Sequence, residues 1–337
     1  MKAIAYQKPY RLDPHDLFQL IESEQPVAQG HDLLIQVQAI SINPIDIKVR
    51  QRTPEDNTDW KILGRDAVGV VAAIGECVQN FKVGDPVYYA GTINRNGSYA
   101  EYQLVDERIV GHKPMSISNA QAAALPLTSI TAWEMLFQRL EVERPIAGQS
   151  RSILLIGAAG GVGSIAIQLL KARTDLEVIA TASRAESKQW LKQIGADYIL
   201  DHSHGLTAQM NALGLAQPGY IFSISGSDQH LEDIQQLIAP QGRVGLIDDP
   251  ADFSIQGFKA KSVSIHWESM FTRSVFQTQD MPQQAEILNQ VATLVDHGKI
   301  KSTLAQNLGA INAAHIQQAH DLIETGKSIG KIVLEGF

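Results

Sequence analysis

The apolar run Ser152-Ile-Leu-Leu-Ile156 passes directly into Gly157-Ala-Ala-Gly160-Gly161-Val162-Gly163, and a long apolar segment follows at once. A strand, a glycine turn and a helix in that order leave few folds open. Glycine lets the backbone turn sharply and approach a pyrophosphate, and the unpaired N–H groups of a helix start favour an anion. Gly163 allows the helix to pack closely on the strand. A bare glycine motif says little; this one has the flanking strand and helix that its chemistry requires. The same alternation continues through LEVIATAS, AESKQWLKQIG, the strand at 198–200, YIFSISG at 220–226, a helix around Leu231–Ile238 and RVGLID at 243–248. Apolar strands alternating with amphipathic helices predict a doubly wound parallel α/β sheet. Residues 262–267 can add one strand more.

Gly157, Gly160, Gly161, Val162 and Gly163 are therefore expected to hold the phosphates of a dinucleotide. Ser225, Gly226 and Ile247 end later strands, where ligands approach such a sheet. An NAD site usually carries a carboxylate at the end of the second strand, for the ribose 2′-hydroxyl. Here that end reads Ala180-Thr181-Ala182-Ser183-Arg184, and Glu177 lies at the strand's other end. Ser183 and Arg184, with Lys188 one helical turn further on, suit a 2′-phosphate. The expected cofactor is NADP(H). The plainer alternative for Arg184 is a solvated residue at a helix start.

The first 120 or so residues read differently. Short β-type runs at Lys2–Tyr6, Leu33–Ile42, Val68–Ile74, Pro86–Ala90 and Ser98–Val105 are separated by turn residues, which suggests a compact β-barrel or sandwich. Gly64, Gly69, Gly75 and Gly84 fit bends between such strands. AQAAALPLTSITAWEML is helix-rich, with Pro126 as a break or new start. A helix near 282–298, another near His315–Thr325 and the strand KIVLEGF complete the chain.

Composition limits the partners. With 337 residues there is room for about two domains. A net charge of −8 gives no sign of a nucleic-acid partner. The single cysteine, Cys77, cannot form an internal disulfide. The opening segment, 1–16, alternates polar and apolar residues unlike a signal peptide, and no apolar run reaches membrane-spanning length. The expectation is a cytoplasmic protein without a membrane partner.

With GRDAVGVVAAIG at 64–75, VGD at 83–85 and AAGGVG in that order behind a β-rich start, the whole chain resembles the medium-chain dehydrogenase/reductase superfamily. It looks closest to its quinone oxidoreductase-like and bacterial zinc-type alcohol dehydrogenase-like branch. The resemblance implies an α/β fold: a Rossmann doubly wound parallel sheet inserted in a GroES-like β-rich catalytic domain. It further implies a cleft where nicotinamide meets substrate, and a homodimer. The expected divisions are 1–124 (catalytic domain), 125–258 (dinucleotide-binding) and 259–337 (return to the catalytic domain).

Zinc alcohol dehydrogenases carry Cys and Gly-His-Glu as ligands. The matching stretches here are Asn43-Pro44-Ile45-Asp46 and Gly64-Arg65-Asp66. Zinc wants about three ligands from Cys, His or carboxylate, and only Asp66 qualifies. The four-cysteine structural lobe is missing too. No metal is expected.

Without a metal, nothing obvious stabilises an alkoxide, but an electrophilic acceptor can take hydride while charge spreads onto its oxygen. The expected reaction is hydride transfer from NADPH to a small-molecule quinone or α,β-unsaturated carbonyl. An alkenal or carbonyl reductase, and a non-catalytic NADPH-binding redox sensor, are the alternatives. The resemblance places Asn43 and Asp46 beside the nicotinamide, with Asn43 as a donor to substrate or carboxamide, and Thr128 packs near it. A turn residue before Pro44 and a buried helix threonine are the bland alternatives. Lys331, before the last strand, is expected to touch the cofactor, and Lys48 is a weaker candidate. No proton donor is identifiable: Tyr89, Tyr99 and His266 qualify by residue type alone. His202 and His204 read as a polar loop rather than metal ligands. Trp267 and Phe271 can wall a ring substrate or simply fill a core.

Overall fold

The computed structural model describes residues 1–9 and 17–337; residues 10–16, the later part of the opening segment, lie outside them. The chain forms two compact units, Met1–Ile130 with Phe271–Phe337, and Thr131–Met270.

The first unit is built on a seven-stranded sheet. Its hub is the strand Asp32–Ser41, in which Leu33, Leu34, Ile35, Val37, Ala39 and Ile40 are all buried and only Gln36 is exposed. Successive side chains point to opposite faces of a strand, so both faces of this one are largely covered. The hub pairs antiparallel with Asp66–Ile74, with Tyr102–Asp106 through its first half, and with the C-terminal strand Lys331–Glu335 through its last residues. Residues from the two ends of the chain thus share one core, with Ile332 and Leu334 beside Leu33, Ile35 and Ile40. Gly69 is not a bend. It lies inside Asp66–Ile74, where a Cβ would come 2.2 Å from Gln36 O, so it serves close strand approach. Residues 98–101 are also not part of a regular strand: they bond to the first strand as a bridge, Ala3 with Ala100.

The second unit carries a six-stranded sheet whose strands run Tyr198–Leu200, Glu177–Thr181, Ser150–Ile156, Pro218–Ser223, Arg243–Leu246, Ser264–Trp267 in space. Every pairing is parallel. Leu154, Ile156, Ile179, Ile221, Val244 and Leu246 are all fully or nearly fully buried, as expected for strands covered on both faces. The chain leaves Ser150–Ile156 toward one edge, then returns to its other side at Pro218–Ser223. This reversal creates the switch point at which ligands approach such sheets. Because Ser264–Trp267 pairs with Arg243–Leu246, the α/β unit extends to Met270 rather than stopping at 258.

Candidate active site

In the α/β unit, Gly157 leaves the central strand with φ +75°, a conformation in which a side chain is strained. Its N–H donates to Thr181 Oγ1 at 3.0 Å. A Cβ on Gly157 would fall 2.2 Å from Ser225 Oγ, so the ends of the two switch-point strands are in close contact. A Cβ on Gly163 would lie 2.3 Å from Ala158 O, so the first turn of the helix packs directly on the backbone of the glycine turn. Gly160, by contrast, has ordinary backbone angles and nothing within 4 Å of its Cβ position. It caps the helix Gly161–Arg173 without any side-chain cap. Open space against a bare helix start is what a phosphate requires.

The other cofactor candidates of this unit share the carboxyl edge of its sheet. Ser183 is exposed after Glu177–Thr181, and Arg184 caps the next helix. Lys188 is paired with Asp201 at 2.7 Å and holds that carboxyl well below the usual carboxylate range. Ile247 is half-buried beyond Arg243–Leu246, and the neighbouring Asp248 accepts from Ser227 N–H at 2.9 Å, fixing the Ser225–Ser227 turn. His202, whose position after Tyr198–Leu200 carried no cofactor expectation, reaches Thr181 Oγ1 at 3.2 Å. His204 is exposed.

In the first unit, Asn43, Asp46, Arg65, Asp66 and Lys331 are all buried and form one polar cluster. Asn43 caps the helix Pro44–Gln51, with proline at its first position, and its N–H donates to Asp46 Oδ2 at 2.9 Å. This capping box fixes the helix start. Asp66 Oδ2 accepts from Ser41 Oγ (2.7 Å), Asn43 Nδ2 (2.8 Å) and Lys331 Nζ (3.0 Å), while Oδ1 accepts from Leu127 N–H (2.7 Å). Leu127 follows Pro126 at the start of the helix Pro126–Trp133, so Asp66 supplies the acceptor its first turn needs. Lys331 Nζ donates also to Ile42 O (3.0 Å) and to Asn43 Oδ1.

These contacts revise three expectations. An ammonium has three protons, and all those of Lys331 point at protein oxygens, so none is left for a cofactor. The Asn43 amide is similarly committed, through Oδ1 to Lys331 and through Nδ2 to Asp66 and Ser41 O (3.4 Å), rather than aimed at a substrate. Thr128 turns its hydroxyl back to Leu125 O at 3.1 Å within its own helix. Asp46 is fully buried, and burial pushes its pKa up to about 6 against the opposing pull of Arg65. Arg65 donates from Nη1 to Thr92 O (2.5 Å) and Arg95 O (3.2 Å), with Nε 3.9 Å from Asp46 Oδ1. Tyr89 and Tyr99 are buried, bonded to Gln103 Oε1 (2.9 Å) and His320 Nε2 (3.1 Å), and burial raises both phenols. His266 is half-buried on the edge strand Ser264–Trp267, Trp267 is largely exposed, and Phe271 is core.

The positions that match zinc ligands do not fit zinc. Asn43 and Arg65 replace the thiolate and imidazole, and Lys331 already neutralises Asp66. A divalent cation there would face two buried cations with one carboxylate already committed. Among the described residues, no group of three His, Cys, Asp or Glu side chains is placed to hold a metal, and no helix is long and apolar enough to cross a membrane.

A doubly wound sheet with a dinucleotide loop, attached to a β-rich unit assembled from both chain ends, defines an oxidoreductase of a two-unit type. The alcohol dehydrogenase GroES-like domain matches residues 29–115, and the zinc-binding dehydrogenase family matches residues 177–334. A zinc-type alcohol dehydrogenase-like protein of Staphylococcus aureus (strain MSSA476) is 38% identical over 336 residues, covering 99% of both chains. A crystal structure from Rhizobium etli CFN 42, named for zinc-dependent alcohol dehydrogenases, shares 53% identity at TM-score 0.96, covering 100% of this chain and 98% of that one. The quinone oxidoreductase of Coxiella burnetii shares 26% identity at TM-score 0.81, covering 100% and 99%. The chain belongs to the medium-chain dehydrogenase/reductase superfamily, whose members bind nicotinamide cofactors.

Proposed function

We propose that the protein is a zinc-independent oxidoreductase that transfers hydride from NADPH to a quinone or an α,β-unsaturated carbonyl. The observation that carries this reading is the filling of the zinc-ligand positions by a neutralised Asp66–Lys331–Asn43 network and the Arg65 guanidinium. With no metal to polarise an alcohol oxygen, the acceptor has to spread its own developing charge, as quinones and enones do.

NADPH, when bound, supplies the hydride. The chain's part is to bind and orient. Gly157–Gly163 hold the pyrophosphate on a bare helix start, Thr181 fixes the loop through Gly157 N–H, and Ser183 with Arg184 receives the 2′-phosphate. Asn43, Asp46 and Lys331 act as positioning residues, holding the start of Pro44–Gln51 against Asp66. The Coxiella burnetii relative is called a quinone oxidoreductase, and that name supports the acceptor class.

The test uses chelator-treated protein with NADPH or NADH and 9,10-phenanthrenequinone, followed at the nicotinamide absorbance. Rapid loss with NADPH, slow loss with NADH, no response to zinc and a selective loss of NADPH preference in Arg184→Ala are expected. Failure with both acceptor classes, together with alcohol oxidation in proportion to bound zinc, would overturn the reading.

A further inference from the structure

Two imidazoles beside the glycine loop take no part in the mechanism above. Tyr198–Leu200 and Pro218–Ser223 stand two strands apart, yet the loops that follow them bring His202 and His230 to 6.1 Å between ring centroids, at 57°. Of the intervening strands, Glu177–Thr181 ends at Thr181 and Ser150–Ile156 leads directly into Gly157. His202 bonds to Thr181 Oγ1, the oxygen that accepts Gly157 N–H. A Cβ on Gly226 would lie 3.6 Å from His230 Cδ2, so His230 stands over the Ser225–Gly226 turn.

The proton count follows from these partners. The Thr181 hydroxyl has one proton; donating it to His202 Nδ1 completes a chain from Gly157 N–H and leaves the imidazole N–H on Nε2. This tautomer is assigned from the bonding pattern. His202 then carries its donor on the loop after Tyr198–Leu200, beside the end of the neighbouring strand Glu177–Thr181 that leads into Ser183 and Arg184.

We propose that His202 and His230 read the adenosine end of the cofactor as a pair, taking up a proton when a 2′-phosphate binds, so that the preference for NADPH over NADH rises as pH falls. The inference rests on the cofactor reading above and adds its regulation. Burial holds both imidazoles below their ordinary pKa, and His230 pushes His202 lower still. Lys188 acts on His202 in the same direction and Asp201 against it, while Asp233 and Asp228 favour the charged form of His230. Asp201 is itself neutralised by Lys188, and Asp233 is engaged by Leu206 and Thr207 N–H groups at 3.0 Å each. Both rings are thus neutral near neutral pH until a phosphate carrying nearly two charges arrives. The 2′-phosphate takes up its own proton near about pH 6, which weakens its binding as pH falls, so a preference for NADPH that rises with falling pH has to come from the imidazoles.

Dissociation constants for NADPH, NADH and 2′-AMP, measured calorimetrically between about pH 8 and about pH 6.5, test this, since one proton taken up is worth about tenfold in affinity per pH unit. NADPH and 2′-AMP are expected to tighten by up to about thirtyfold across the range while NADH stays level. His202→Gln and His230→Gln should each flatten the slope, and His204→Gln should keep it. Histidine ring resonances should titrate at higher pH with NADPH than without. Tight NADPH binding with a flat pH profile, or unchanged histidine titrations, overturns this inference and leaves the cofactor reading standing. Binding of neither nucleotide, or of NADH alone, overturns the cofactor reading itself.

Discussion

Replacing Lys331 by methionine removes the one ammonium in the Asp66 network and keeps most of the side-chain volume. Lys331 is 4% exposed and its charge faces Asp66, which is fully buried. Removing one partner of a buried ion pair costs about 3–5 kcal/mol, because the other charge is left without compensation. Asp66 keeps Ser41, Asn43 and Leu127 N–H as donors, which argues for the lower part of that range. A unit of this size shifts its Tm by about 2–4 °C per kcal/mol, so a drop of roughly 6–20 °C is expected. The assay is scanning calorimetry combined with amide exchange at Val333–Glu335, which pair with Ser41–Ala39 and report the unit that holds the cluster. The double variant Lys331→Met with Asp66→Asn should recover much of the loss, since the amide retains an oxygen for Leu127 N–H and buries no charge. A loss below about 1 kcal/mol in the single variant, or strict additivity in the double, would refute the argument that this ion pair organises the cluster.

Two glycines of the phosphate loop should separate folding from binding. Gly163→Ala, which drives a Cβ to 2.3 Å from Ala158 O, should cost stability as well as NADPH affinity, whereas Gly160→Ala, with open space, should leave Tm within about 1 °C and weaken only NADPH binding. Asp46 should give a pH signature of the opposite sign to an ordinary ion-paired carboxylate. Its folded pKa, about 6, lies above the ordinary value of 3.8, so its contribution is full below the unfolded pKa and is lost as pH rises through about 6. Asp46→Asn should remove about 1.4 kcal/mol of that change between denaturant titrations at pH 5 and pH 7.5; an unchanged slope would reassign the titration to another group.

The parts of this fold that were legible from residues alone are those in which one local pattern decides the structure. Ser152–Gly163 carries its strand, turn and helix in consecutive residues, so the loop geometry follows from chemistry within a dozen positions. The helix Pro44–Gln51 was equally legible but carried no helix expectation: Asn43, Pro44 and Asp46 form a capping box with proline at the first position. Gly69 resisted because its requirement comes from Gln36, a residue on another strand. A glycine inside a strand and a glycine at a bend look alike until the partner strand is known.

The buried cluster shows the same limit at the functional level. Asn43 and Lys331 are separated by most of the chain, and each carries a side chain capable of meeting a ligand. What assigns them instead to the interior is a count of donors and acceptors around Asp66: three protons on Lys331, two on Asn43, one each on Ser41 and Leu127, and protein oxygens for all of them. No spacing rule contains that count, because it depends on which strands the hub Asp32–Ser41 draws together. The absence of a cysteine and histidine at positions 43 and 65 was readable, and it argued against zinc. That a lysine from the last strand would neutralise the remaining carboxylate was not, and it is this cation that turns a missing metal site into a structural centre with its own charge balance.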